Sequence, residues 1–221
     1  MLLAGGCGER LPAYRYRLTV EVETPEGVRT GSSVIEVRTS KGLGFPGPEA
    51  GQFSSSARGE AVTVPLGRRG VLFALLRSPL GQSSATSYAS ALLPNPPASG
   101  SDSAAARANI LALKAAAGSA RLDPSDYPTL VRFDDLRRPD SVRIVDPADL
   151  SGSFGSGVRL IDISVEVTDD PVTTGISRLF PWWDKYLDRH FDGSSTVSDG
   201  TPGEPAGYLS SGSFSSEAGK R

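Results

Sequence analysis

Along residues 14–23 the chain reads YRYRLTVEVE. Tyr14, Tyr16, Leu18, Val20 and Val22 share one parity, and Arg15, Arg17, Thr19, Glu21 and Glu23 the other. A period of two with one apolar side marks a strand buried on one face and wet on the other. TPEG follows, with Pro25 preset for a turn and Gly27 closing it, and VRTGSSVIEVR returns as a second run. The pattern predicts a β-hairpin over 14–38. EAVTVPL at 60–66 and VLFALLR at 71–77, joined by GRRG, predict another. VLFALL is apolar at every position, which calls for a strand covered on both sides.

Further strands are predicted over 127–133 (YPTLVRF), 140–147 (DSVRIVDP, with Val142 and Ile144) and 157–170 (GVRLIDISVEVTDD). In the last, Ile161, Ile163, Val165 and Val167 fall on one face. The Ala-rich run 103–118 reads as a helix containing Ile110, Leu111 and Leu113, N-capped by Asp102 or Ser103 and closed by Gly118. DPADLSGSFG reads as a short helical turn. PVTTGISRLFPWWDKYLDRHF, over 171–191, reads as a final aromatic helix with Pro171 at its start; Pro181 inside it demands a kink or two short helices. Residues 40–59, rich in Gly, Ser and Pro, read as a loop. GVRTGSSVIEV and GVRLIDISVEV echo one another faintly, as a duplicated β unit would.

These elements place the chain in the α+β class: mainly antiparallel sheet built from hairpins, with an Ala-rich helix and a C-terminal aromatic helix. The expected organisation is an N-terminal segment 1–13, one β-rich domain over 14–191 and a Ser/Gly-rich, mostly flexible tail over 192–221. Any internal boundary would fall at 78–102. Within the tail, Leu209 and Phe214 offer apolar anchors.

Charge alters the picture little. Lys+Arg number 23 against Asp+Glu 25, a formal net charge of −2. With no basic surplus and no Lys/Arg run longer than a pair, nucleic acid is not the expected partner. One cysteine makes no intramolecular disulfide and no Cys-rich zinc site.

That cysteine is Cys7, in MLLAGGCGER. Small residues directly before a cysteine, after leucines, resemble the end of a bacterial lipoprotein signal, in which Cys7 would carry the lipid. A basic start and a full apolar run are missing, so this reading requires a true start upstream. The alternative is a flexible N-terminus bearing a stray thiol. The two readings give different places: the periplasm-facing cell envelope with lipid at Cys7, or the cytoplasm.

Four other stretches hold candidate chemistry. Asp169 and Asp170, in TDDPVTTG, either cap a following helix or supply oxygen ligands to Ca²⁺ or Mg²⁺. His190, the only histidine, lies between Asp188 and Asp192 and is a general base only if a nucleophile is near; nothing selects one among the serines, and no GxSxG elbow is present. Trp182, Trp183 and Tyr186 form either a lid on the sheet, with one tryptophan partly exposed, or an interaction patch. SGSFGSG at 151–157 is a weak candidate for an anion loop, because its glycines lead into a strand rather than a helix.

Several of these segments carry a resemblance. Tyr127-Pro128, Pro139 to Val142, Val145 to Pro147, Phe154 to Gly157 and Glu166 to Ile176 are similar to an uncharacterised alphaproteobacterial protein family, read as lipoproteins of unknown function, and TGSSVIEV fits the same group. The resemblance implies a real folded family and transfers no catalytic residue. The expected function is a non-enzymatic cell-envelope lipoprotein: a binding, interaction or structural module without cofactor, whose partner is an envelope protein or surface component. An enzyme of undetermined type using Asp169, Asp170 and His190 is the first alternative. A cytoplasmic or phage-associated structural protein is the second.

Overall fold

The computed structural model describes residues 10–41, 53–76, 84–93, 103–195 and 205–218. Among these, nine strands form two antiparallel sheets: β1 (Tyr14–Thr24), β2 (Gly27–Lys41), β3 (Phe53–Arg58), β4 (Val62–Pro65), β5 (Val71–Ala74), β6 (Ser119–Arg121), β7 (Leu130–Phe133), β8 (Val142–Val145) and β9 (Arg159–Val167). The first sheet has the order β3-β2-β1-β9-β6, the second β4-β5-β7-β8. Three helices accompany them: α1 (Ser103–Ala115), α2 (Leu150–Phe154) and α3 (Ser211–Phe214). The fold is α+β and mainly β.

The β1–β2 hairpin pairs Tyr14 with Val37 through to Thr24 with Gly27. All five apolar residues of β1 point inward, as the alternation requires. They meet Ile35 and Val37 of β2, Val62 and Val64 of β4, Leu72 and Ala74 of β5, and Ile163 and Val165 of β9 in the core between the sheets. β4 and β5 form the second hairpin, turning through a 3-10 turn at Gly67–Arg69. Leu72 and Ala74 face this first core, whereas Phe73 and Leu75 face another, so the all-apolar run is covered on both sides.

The second core explains the tail. Phe73, Val131, Phe133 and Val142 of the second sheet are roofed by Phe180, Trp182, Trp183, Phe191, Leu209 and Phe214. Leu209 and Phe214 have no exposed surface, and residues 205–218 pack against the body although their composition resembles a loose tail. The molecule is thus three layers: five-stranded sheet, four-stranded sheet, aromatic roof.

Several expectations are corrected. Residues 53–58 are strand, not loop: β3 lies at a sheet edge, and its serines carry no burial signal. Ile161 does not share the inward face of Ile163 and Val165. The β1–β9 register slips between Glu21 and Val22, so Asp162 lies opposite Glu21 while Leu160 lies opposite Val22; a bulge at Ile161 lets Leu160 face the core in its place. The aromatic segment is not one helix. It forms two 3-10 turns, Ile176–Leu179 and Trp183–Tyr186, on either side of Pro181, the division that a proline imposes. α1 ends at Ala115, with Gly118 beyond it at φ +82°, and Asp102 lies outside the described residues. Of the 78–102 stretch, residues 84–93 are described, and Ala85, Tyr88 and Ala89 join the first core. The echoing segments are β2 and β9, the two strands that flank β1.

Candidate functional site

Because β1 alternates, one face of the five-stranded sheet is mostly polar, with Val28 and Val34 of β2 the apolar residues opposite the outward side chains of β1. Its residues line up across the strands in rows. Val34, Arg17, Glu166 and Ser119 form one; Ser32, Thr19, Ser164 and Arg121 the next; Thr30, Glu21 and Asp162 a third. Arg121 reaches across rows to pair with Asp162 at 2.7 Å.

A strap crosses this face. After β9 the Thr168 amide donates to the Arg15 carbonyl at 3.1 Å, and the Arg15 guanidinium donates to the carbonyls of Asp169 and Asp170 at 3.3 Å. Arg17 forms ion pairs with both the Asp170 and Glu166 carboxylates. The chain then reaches β2, where Thr173 exchanges two hydrogen bonds with the Val34 backbone. It leaves through the Ile176 amide, which donates to the buried Glu60 carboxylate at 2.7 Å, and enters the aromatic roof. Residues 168–175 therefore tie the outer face of one sheet to the far side of the other.

The strap has an open hollow of about 500 Å³ on each side. One is lined by Arg15, Glu36, Lys114, Thr168 and Asp169, with Ala13, Tyr14, Ala116 and Val167. The other is lined by Arg17, Thr19, Thr30, Ser32, Ser119, Ser164 and Glu166, five hydroxyls beside one ion pair. Glu36 is only 5% exposed. Its burial opposes ionisation, but hydrogen bonds from Arg15 and Arg38, reinforced by their charges, outweigh that and hold its carboxyl below the usual range. Tyr14, at the rim of the first hollow, is pushed up to about 12 by burial. Val165 also lines the second hollow, but no aromatic residue does, and the side chains it offers a ligand are chiefly hydroxyls and one ion pair.

The residues singled out in the sequence scatter. Asp169 and Asp170 belong to the strap. They cap no helix, because 171–175 takes no regular secondary structure and the first helical turn begins at Ile176. His190 sits in the roof segment, where its Nδ1 lies 3.3 Å from Ser194 Oγ. Among the described residues no hydrogen bond or ion pair joins it to Asp169 or Asp170, and no three His, Cys, Asp or Glu side chains gather as a metal site.

Trp182 and Trp183 are 6% and 7% exposed, so neither forms an open patch, contrary to the expectation that one would be partly exposed. They avoid competing for one position because the turn after Pro181 sets both against Phe180, Trp182 tilted at 4.7 Å and Trp183 stacked at 5.7 Å between ring centres. The Trp182 indole donates to the Leu136 carbonyl at 2.8 Å, and Tyr186, half-buried, meets Trp182 edge-on. The glycines of 151–157 are also structural. Asp149 caps α2 through the Gly152 amide, and Arg69 donates to the Phe154 carbonyl at 3.0 Å. Cys7 lies outside the described residues.

No family model, curated protein or solved structure matches the chain.

What the sequence reading missed is the role of the outward residues of β1. Arg15 and Arg17 were legible only as a solvated face. The available signal was an Arg-x-Arg pair at outward parity in one strand and two adjacent aspartates closing another.

Proposed function

We propose that this chain is a non-catalytic binding module of the bacterial cell envelope, lipid-anchored at Cys7, that contacts an envelope protein or surface component through the polar face of its five-stranded sheet. The observation that carries this reading is the hollow over Thr19, Ser32 and Ser164. It is an open hollow on the sheet lined by five hydroxyl side chains, while Phe180, Trp182, Trp183 and Phe191 are buried in the roof. A rigid sheet holds its hydroxyls at fixed spacing, which favours recognition of a polar partner with little ordering cost. The small residues before Cys7 and the preceding leucines support the anchor.

Photo-crosslinking in the native host tests the surface. A crosslinking amino acid replacing Thr19 or Ser164 should yield one discrete adduct that the same group at Leu111, on the exposed side of α1, does not. Adducts of equal yield from both places, or none from the sheet, overturn the assignment. Intact mass of the native protein tests the anchor: a diacylated or triacylated N-terminal Cys7 is expected, and an unmodified Met1 refutes it.

A further inference from the structure

The five-stranded sheet ends in β3, whose outer edge can be read residue by residue. In β2 the Thr39 carbonyl accepts from Leu11 on the β1 side, whereas the Val34 main chain turns the other way, to Thr173. Main-chain groups alternate along a strand, so Arg38 and Ser40 face β3, and their partners Ser56 and Ser54 face back. Phe53, Ser55 and Ala57 therefore direct their N–H and C=O groups off the sheet. The next residue of that parity, Gly59, is closed by Ser216, which accepts from the Gly59 amide at 2.9 Å and donates its own to the Gly59 carbonyl at 3.1 Å. No main-chain partner meets the outward groups of Phe53, Ser55 or Ala57 among the described residues.

Exposed edges are ordinarily blunted by charge, proline or shortness. β8 has four residues and carries Arg143, ion-paired to Asp134, and β6 has three. β3 has six, and its centre, Ser54, Ser55 and Ser56, is exposed, uncharged and free of proline.

We infer that β3 pairs antiparallel with β3 of a second copy of this chain, about a two-fold axis at Ser55. Side chains opposite one another must share a face, which puts Ser55 against Ser55, Ser54 against Ser56 and Phe53 against Ala57 of the other copy. Each outward residue then exchanges two main-chain hydrogen bonds, six in all. Phe53 and Ala57, half-buried at the rim of the first core, cover one another and extend that core across the axis. The ends are complementary as well. Lys41 lies by Phe53 and Glu217 by Arg58, so antiparallel pairing brings Lys41 of one copy toward Glu217 of the other. The interface is isologous and produces one ten-stranded sheet with the two polar faces side by side. A single short edge predicts a weak dimer, formed at micromolar concentration.

Sedimentation velocity of the full chain across the micromolar range should show a reversible monomer–dimer equilibrium. Ser55→Pro removes an amide with no internal partner, so the chain should fold normally while dimerisation weakens at least tenfold. Ser55→Lys, which places like charges on the axis, is expected to do the same and serves if the proline variant does not fold. In a Cys7→Ser background, a mixture of Ser54→Cys and Ser56→Cys proteins should crosslink on mild oxidation faster than either alone. A monomer at every concentration overturns the inference, as does a dimer unaffected by both Ser55 variants. Pairing of the edge with an extended segment of another protein, the wild type remaining monomeric alone, also overturns it.

Discussion

Gly31 of β2 sits where the two sheets touch. The inward positions before Ile35 are Gly31 and Ser33, and β4 lies against them: Ser33 donates to the Glu60 carbonyl at 2.6 Å, and a Cβ added at Gly31 would fall 2.2 Å from the Thr63 carbonyl oxygen, 2.8 Å from its carbon and 2.9 Å from Val64 Cγ2. Gly31→Ala therefore requires about 1 Å of separation between the backbones of two packed sheets, each held by its own ladder, because the nearest obstacle is main chain and cannot rotate away. Overpacking a well-filled core costs about 1–3 kcal/mol. With backbone on both sides the upper end applies, so about 3 kcal/mol is expected, or roughly 6–12 °C in Tm for a domain of this size. The assay is urea denaturation followed by circular dichroism, with thermal melting alongside. Gly212→Ala is the control: its new methyl would meet only Ser210 Oγ at 3.5 Å, an ordinary contact inside α3, and should be neutral or slightly stabilising. A loss below about 1 kcal/mol at Gly31, or equal losses at both positions, would refute the close approach of β4 to β2.

Other changes address the roof, the strap and pH. Trp182→Ala removes an indole that packs on Phe133, Phe180, Tyr186 and Phe191 and orphans the Leu136 carbonyl, so a loss of about 3–5 kcal/mol is expected in the same denaturation assay; an unchanged midpoint would show that this tryptophan is not core. Arg17→Ala should loosen residues 168–175, seen as faster amide exchange there, with a small global loss of about 1 kcal/mol because the ion pairs are partly exposed; unaltered exchange would mean the strap is held without it. Glu36 has a depressed pKa in the folded chain, so its contribution is complete above the ordinary carboxylate range and is lost as the pH falls through the lowered value. Glu36→Gln should accordingly flatten the acid limb of a stability–pH curve, and identical limbs in both proteins would remove Glu36 from the account.

Much of the fold could be read from period and punctuation. β1 was legible because one face is apolar and the other largely charged, β2 because Pro25 and Gly27 mark a turn back from β1, and β5 because its apolar run left no polar face to expose. The edges were not. β3 is Phe53-Ser-Ser-Ser-Ala57-Arg58, and at an edge burial touches only Phe53 and Ala57, too little for a period to emerge. β6 is shorter than any pattern. Ile161 misled because a bulge adds a residue without altering the alternation on either side of it. The aromatic segment misled differently: its density of Trp, Tyr and Phe fitted a helix, but the rings cluster around Phe180 through turns, a tertiary preference that overrides local period. The candidate site was hidden for a related reason. Thr19, Ser32 and Ser164 are unremarkable in sequence, and only the pairing of β1 with both neighbours places them in one row.

The three layers also decide which chemistry remains available at the surface. A sheet apolar on both faces needs two covers, and the five-stranded sheet supplies one. The second must come from sequence beyond β9, so the chain has to pass from one side of the molecule to the other. The shortest route lies over the polar face, and the charges of that face fix the route: Arg15 and Arg17 hold the two aspartates where a mobile loop would otherwise run. Asp169 and Asp170 are thereby drawn into structure, and so are the tryptophans that the strap delivers to the roof. Among the described residues, the hydroxyl row of the five-stranded sheet and the outer edge of β3 face solvent. Both are suited to hydrogen bonding with another surface, and both lie on the same sheet, so a partner on the face and a second copy at the edge can be accommodated together.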